Sequence, residues 1–122
     1  MREDSQVVLD LKEVGSTVRS WLAAWFEQNI AAYLSVYSAE FRPSDARSRA
    51  AWETQRRSRV TQPKSIDISI RDIKIELIDG SSARVNFIQS YQSDSYADTV
   101  VKQLELKKTN KGWKIRKEIV VL

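Results

Sequence analysis

The sequence has 122 residues, of which 42% are hydrophobic and 30% charged, and its net charge is +4. This length fits one domain, and the composition excludes a disordered, collagen-like or low-complexity chain. The chain contains no cysteine and no histidine, which excludes disulfides, thiol catalysis, the usual zinc sites and a histidine general base. No apolar run approaches the ~18 residues of a membrane span or forms the apolar centre of a signal peptide, so we expect neither in these residues.

The first part of the chain has the periodicity of amphipathic helices. Between positions 14 and 26 apolar residues recur at helical spacing, which predicts a long first helix that Asp4 or Ser5 would cap. We expect its buried stripe to contain Val14, Val18, Trp21, Leu22, Trp25 and Phe26. A second, short helix is predicted over residues 31–36, where Tyr33 and Tyr37 share a face.

A third helix is predicted after a break at Pro43, because the residue before a proline is kept out of the helical conformation. Ser44 or Asp45 would cap this helix, which would run to about Gln62. Its few apolar residues are Ala46, Ala50, Ala51, Trp52 and Val60. A helix this polar must lie on the surface, with Trp52 as its main anchor.

From Lys64 onward the apolar pattern changes to a period of two, which is typical of strands. The first strand alternates through Ile66, Ile68 and Ile70, and then through Ile73, Ile75 and Leu77. The phase slips at Arg71-Asp72. One extra residue there predicts a β-bulge within residues 70–73. The bulge would bend the strand and let the three apolar residues before it and the three after it all face the helices.

Three further strands are predicted, separated by turns at residues 79–80, 93–95 and 110–112. Their inward residues would be Ala83, Val85, Phe87, Gln89 and Tyr91, then Val100, Lys102, Leu104 and Leu106, and finally Trp113, Ile115, Lys117 and Ile119. On this phase Glu118 points to the opposite face. Three helices followed by a four-stranded antiparallel meander make a single α+β domain over residues 1–122.

Several segments carry a family resemblance: residues 18–25 (VRSWLAAW), 32–38 (AYLSVYS), Phe41, the helix 52–59, residues 83–91 (ARVNFIQSY) and 112–115 (GWKI). Together with the element order they resemble the nuclear transport factor 2-like superfamily, also called SnoaL-like. The pattern is most similar to the version at the C-terminus of bacterial envelope proteins, appended to L,D-transpeptidase-like murein enzymes or to tetratricopeptide-repeat proteins. The resemblance implies a cone: a strongly curved sheet wrapped around the helices, with a cavity at its wide end.

The resemblance leaves two main functions open. The first is a non-catalytic accessory module, part of a larger cell-envelope protein, that binds a partner or a small ligand in the cone. The second is a small stand-alone enzyme of the isomerase, dehydratase or cyclase type. Such enzymes use Asp, Tyr or His inside the cone, whereas this chain has no histidine and no carboxylate on the cavity phase of the second or third strand. We therefore favour the module, with no catalytic residue, no cofactor and no metal.

Seven residues are candidates for the cavity lining: Tyr33, Tyr37, Trp52, Arg56, Gln89, Tyr91 and Lys102. The two helix tyrosines could instead lie at the edge of the core, and Arg56 could be solvated rather than stacked on Trp52. Gln89, Tyr91 and Lys102 occupy the apolar phase of their strands, unless that phase drifts and leaves them half exposed. Trp21 and Trp25 at helical spacing are interpreted as core residues rather than a ligand platform.

Lys102 is the most informative of these candidates, because its neighbours on the same phase are apolar. A buried ammonium needs compensation, which could come from Tyr91 and Gln89, from water, or from an anionic ligand at a site that Arg56 extends. We therefore expect a small molecule with a carboxylate or phosphate as the guest.

The remaining expectations concern partners and compartment. Two basic clusters, residues 47–59 and 107–117, are not interleaved with exposed aromatics, so we interpret them as solvated faces rather than a nucleic-acid site. The outward sheet face would carry Asn86, Ile88, Ser90, Thr99, Val101 and Gln103, a mixed surface that suits a homodimer. The resemblance implies the periplasm or cell envelope for a module of a longer chain, and the cytoplasm otherwise.

Overall fold

The computed structural model describes residues 3–45 and 47–122. It has the predicted α+β architecture, in which the helices pack against a four-stranded antiparallel sheet of order β1-β2-β3-β4. The elements are α1 (Asp4–Phe26), α2 (Ile30–Ser35), α3 (Arg49–Thr61), β1 (Ile66–Leu77), β2 (Ser82–Ser93), β3 (Ala97–Thr109) and β4 (Gly112–Val120). All three predicted helices and all four predicted strands are therefore present.

The helix caps differ from those predicted for α1. Its N-cap residue is Glu3, with no side-chain cap hydrogen bond, so neither Asp4 nor Ser5 caps it. In α2 the cap is Asn29, whose side chain accepts a hydrogen bond from the backbone N–H of Ala32 at 3.1 Å. The asparagine that interrupts the apolar stripe therefore starts the next helix.

The third helix begins later than predicted. Ser48 caps α3 by accepting from the N–H of Ala51, so the expectation of a cap at Ser44 or Asp45 is wrong. The Asp45 carboxylate instead accepts from the N–H of Arg47, a local turn that competes with helix formation. Ala46, expected in this helix, lies outside the described residues.

The core fills the space between α1 and the concave face of the sheet. Trp25, Phe87 and Trp113 are buried as expected, whereas Phe26 is 54% exposed, which contradicts its predicted burial. The buried residues of the stripe are Val14, Val18, Trp21 and Trp25. Phe26 follows Trp25 by one residue, about 100° around the helix, and so faces solvent.

The predicted bulge in β1 is confirmed. Arg71 pairs with Ile88 and Lys74 with Asn86, so β1 has one residue more than β2 between these pairs, and Asp72 has φ +56°. Ile73 lies in the bulge and is 48% exposed, so its expected inward orientation is wrong. The inward alternation resumes at half-buried Ile75.

A second register shift, in β4, was not predicted. Glu105 of β3 pairs with Lys117, but the next residue, Leu106, pairs with Ile115. Arg116 is therefore an extra residue of β4 between these two pairs. Because it inverts the alternation of inward and outward side chains, Lys117 is exposed and Glu118 is buried. The expectations that Lys117 faces inward and that Glu118 lies on the opposite face are therefore wrong.

Candidate ligand cavity

A cavity of about 730 Å³ opens at the wide end of the cone. A cluster of charged and phenolic side chains, which we call the floor, lies at its deep end and consists of Tyr33, Tyr37, Arg56, Lys102 and Glu118. All but Tyr37 line the cavity directly. Trp25, Gln89 and Tyr91 line the middle, and Arg59, Asp94, Tyr96 and Asp98 form the part we call the rim.

Glu118 is the centre of the floor. Its Oε2 lies 2.7 Å from Nζ of Lys102 and 3.5 Å from Nη1 of Arg56, and its Oε1 accepts from the hydroxyl of Tyr37 at 2.6 Å. Its side chain is 4% exposed. A buried carboxylate is stable only with such partners. The shift in β4 therefore completes an ion cluster whose basic residues come from α3 and β3.

The proton positions in this cluster follow from its hydrogen bonds. Tyr37 has one hydroxyl proton and donates it to Glu118, so the 3.0 Å contact between Tyr33 and Tyr37 has Tyr33 as the donor. Arg56 Nη1 in turn donates to the Tyr33 hydroxyl at 2.6 Å, and Trp21 Nε1 donates to Tyr37 at 3.0 Å. Every donor in this network points toward the carboxylate.

Burial and charge shift the pKa values of the floor residues. Burial opposes the negative charge of Glu118, but the Arg56 and Lys102 cations hold its pKa well below its usual range. Burial raises the pKa of Tyr37 well above its usual value and also raises that of Tyr33. Burial lowers the pKa of Lys102, and the ion pair with Glu118 opposes this shift. With Lys102 protonated in that pair, the floor has two cations and one anion at neutral pH, a net charge of +1.

The aromatic residues support the cations. Nζ of Lys102 lies 5.5 Å from the ring centroid of Trp21 and 5.3 Å from that of Trp25. The guanidinium of Arg56 lies 5.3 Å from the ring centroid of Trp52, and the Arg56 side chain is only 15% exposed. These distances suit cation–π contacts, and they favour the stacked arrangement of Arg56 over the solvated one.

Three polar atoms around the cavity are buried without a hydrogen-bond partner. They are Nε1 of Trp25, Oε1 of Gln89 and Nε of Arg56. An unsatisfied buried donor or acceptor costs about 1–3 kcal/mol, so such atoms are uncommon in a purely structural core. The three atoms are themselves covered by neighbouring groups, so a ligand in the cavity would contact other atoms of Trp25, Gln89 and Arg56.

Five of the seven candidate residues line this cavity. They are Tyr33, Arg56, Gln89, Tyr91 and Lys102. Tyr37 and Trp52 lie behind the wall, where Tyr37 bonds Glu118 and Trp52 packs under Arg56. Glu118 was predicted on the opposite face and so was not among the candidates. The expectation that no carboxylate lies on the cavity phase of the second or third strand is wrong for β3, because Asp98 shares the phase of Lys102 and lines the cavity. Ligand binding by these residues stays a prediction.

Within residues 3–45 and 47–122, no group of three or more acidic side chains could hold a metal ion. Within the same ranges no helix is both long and apolar enough to cross a membrane.

Solved structures share this fold. Bd1075 from Bdellovibrio bacteriovorus has a TM-score of 0.80 at 23% identity, over 89% of this chain and 39% of that one. The helical cell shape determining protein Pgp2 from Campylobacter jejuni, as its K307A mutant, has a TM-score of 0.77 at 23% identity, over 97% of this chain and 41% of that one. A putative dehydratase of the NTF2-like family from Streptomyces avermitilis has a TM-score of 0.76 at 16% identity, over 90% of this chain and 93% of that one.

The chain thus spans about two fifths of Bd1075 and Pgp2, but nearly all of the dehydratase fold. No curated protein sequence matches it. The model of the Cds6 C-terminal NTF2-like domain matches residues 13–119. That match includes the inner face of α1, all of α2 and α3, and every residue of the cavity floor. The chain therefore belongs to the Cds6 C-terminal NTF2-like domain family.

Proposed function

We propose that this chain is a non-catalytic binding module of a cell-envelope protein, and that its cone cavity binds a small ligand through an anionic group. The observation that carries this proposal is the floor, where Lys102 and Arg56 outnumber Glu118. A buried net positive charge favours an anion, because the low dielectric strengthens the attraction. Trp25, Gln89 and Tyr91 line the middle of the cavity and would contact the rest of the ligand.

Catalysis of the dehydratase or isomerase type is the alternative, and among the described residues that line the cavity Glu118 is the buried carboxylate that could act as a general base. Such a base works best when its pKa is near the operating pH. The pKa of Glu118 is instead held far below neutrality by two cations, and the pKa values of Tyr33 and Tyr37 are raised by burial. These groups are suited to holding charge in place rather than to moving protons.

Two parts of this proposal, the location in the envelope and the longer parent protein, are supported by similarity to solved structures. Bd1075 and the helical cell shape determining protein Pgp2 contain this fold as about two fifths of their length. We expect the natural gene product to be longer than this chain and to carry an export signal. Mass spectrometry of the endogenous protein, with its fractionation between envelope and cytoplasm, measures both. A free cytoplasmic protein of this length would contradict the assignment.

Anion binding is tested with Lys102→Met. In the wild-type protein we expect millimolar benzoate or adipate to raise the melting temperature by several degrees relative to chloride at equal ionic strength, because a ligand that binds only the folded state stabilises it. Lys102→Met should lose this shift, because the floor then holds one cation and one anion and has no net charge. The double variant Lys102→Met/Glu118→Gln leaves Arg56 without its anion, restores the net charge of +1, and should regain a shift. Lys117→Met is the matched control, since Lys117 lies exposed on β4, and it should retain the shift. A wild-type protein that no carboxylate stabilises would overturn the proposal.

The convex sheet face is also proposed as a homodimer interface. Cross-strand pairs of mixed character cover it: Asn86 with Gln103, Ile88 with Val101, and Ser90 with Thr99. A stable interface should bury about 800 Å² per partner. We expect light scattering at high micromolar concentration to give a dimer, and Ile88→Lys to give a monomer whose melting temperature, unlike that of the wild-type protein, does not rise with protein concentration. A monomeric wild-type protein would refute this interface.

A further inference from the structure

The charges of the cavity are ordered along β3. Lys102, Val100 and Asp98 alternate in sequence, so all three lie on the concave face, with Lys102 at the floor and Asp98 at the rim. Four residues of strand separate the Cα atoms of Lys102 and Asp98 by about 13 Å. On β2 the partners of this row are Phe87, Gln89 and Tyr91, in the same order from floor to rim.

The rim has the opposite charge to the floor. Asp98 accepts from the hydroxyl of Tyr96 at 3.0 Å, and Asp94 accepts from the backbone N–H of Lys64 at 3.0 Å, so both carboxylates are held in place. Arg59 of α3 is the basic side chain among the rim residues that line the cavity. The rim therefore has a net charge of −1, against +1 at the floor. A ligand that matches both ends carries its anion inward and a cation outward.

The wall between the two ends is largely aromatic. Trp25 and Tyr91 line it together with Gln89, and the two rings have centroids 5.4 Å apart. The unpartnered Nε1 of Trp25 and Oε1 of Gln89 are themselves covered, so a ligand in the cavity meets other atoms of these side chains. The two charged ends, rather than the wall, therefore select the ligand.

We propose that the ligand is a short peptide with both ends free, bound with its C-terminal carboxylate at Lys102 and Arg56 and its N-terminal ammonium near Asp98. This inference rests on the proposed function, that the cavity binds an anionic group. An extended chain spans at most about 3.3–3.6 Å per residue, so three to four residues match the ~13 Å along β3 from floor to rim.

Calorimetry with trialanine tests the peptide. We expect trialanine to bind at least about tenfold more tightly than either its C-terminal amide or its N-acetyl form, and more tightly than dialanine or caproate. Asp98→Asn should remove most of the difference between trialanine and its N-acetyl form while leaving caproate binding unchanged. Asp67→Asn is the matched control, because Asp67 is an exposed carboxylate of β1, and it should behave as the wild type.

Two outcomes would count against this assignment. Binding of caproate and trialanine with equal affinity, dependent on Lys102, would overturn the peptide assignment and leave the anion site standing. No binding of either compound would overturn both.

Discussion

Glu118→Gln is expected to lower the free energy of unfolding by about 3–5 kcal/mol, the cost of removing one partner from a buried ion cluster. The variant leaves Lys102 and Arg56 buried without their shared anion and gives Tyr37 a weaker acceptor. Chemical denaturation with the slope held in common measures the loss. Glu76→Gln is the matched control, since Glu76 pairs with Arg84 at 3.2 Å but its side chain is 64% exposed. Surface pairs contribute about 0–1 kcal/mol.

The same carboxylate makes stability depend on pH. Its folded pKa is depressed, so its stabilising contribution is complete above the unfolded pKa of about 4.3 and is lost as the pH falls toward the folded value. The wild-type protein should therefore lose stability more steeply than Glu118→Gln as the pH is lowered from about 5 to 3. Equal slopes, or a loss below about 1 kcal/mol at neutral pH, would mean that the carboxylate is solvated in the folded protein.

The double variant Lys102→Met/Glu118→Gln separates pairing from packing. Residues in one ion cluster couple strongly, so the double variant should lose less stability than the sum of the two single variants. An additive result would contradict the direct 2.7 Å ion pair between the two side chains.

Periodicity was sufficient to predict the elements of this fold, because burial of one face dominates where apolar residues recur regularly. It placed Trp21 and Trp25 in the core and Lys102 inside the cone, and the phase slip at Arg71-Asp72 located the bulge of β1. Periodicity was less informative for residues at the edge of the apolar stripe of a helix. Phe26 fits the helical spacing as well as Leu22 does, yet it lies past the edge of the buried face.

The shift in β4 was not predictable from hydrophobicity. Strict alternation puts Lys117 and Ile119 inward, whereas the shifted register puts Glu118 inward, so each choice buries one charged residue. Tertiary contacts decide between these two registers. The inward Lys102 on β3 needs an anion, and the hydroxyl of Tyr37 needs a hydrogen-bond acceptor. The sequence signal was the pair Arg116-Lys117, two adjacent charges in a strand, like Arg71-Asp72 in β1.

Trp25→Ala is expected to cost about 3–5 kcal/mol, the range for truncating a buried tryptophan. The indole packs against Trp21 and Tyr91, each with ring centroids 5.4 Å away. Its ring also lies 5.3 Å from Nζ of Lys102, so the substitution removes a cation–π contact as well as apolar burial. The variant should also bind carboxylates more weakly, because Lys102 keeps its ion pair with Glu118 but loses one of its two cation–π contacts.

Phe26→Ala is the control for this change. Phe26 is the next residue of the same helix and is 54% exposed, so its truncation should change the free energy of unfolding by no more than about 1 kcal/mol. Parallel denaturation of the two variants compares neighbouring aromatic side chains about 100° apart on one helix. Equal losses, or a loss below about 1 kcal/mol for Trp25→Ala, would contradict the burial of α1 through the Trp21 and Trp25 face. A large loss for Trp25→Ala alone, together with weaker carboxylate binding, would mean that the tryptophan forms part of the core and part of the cavity wall at once.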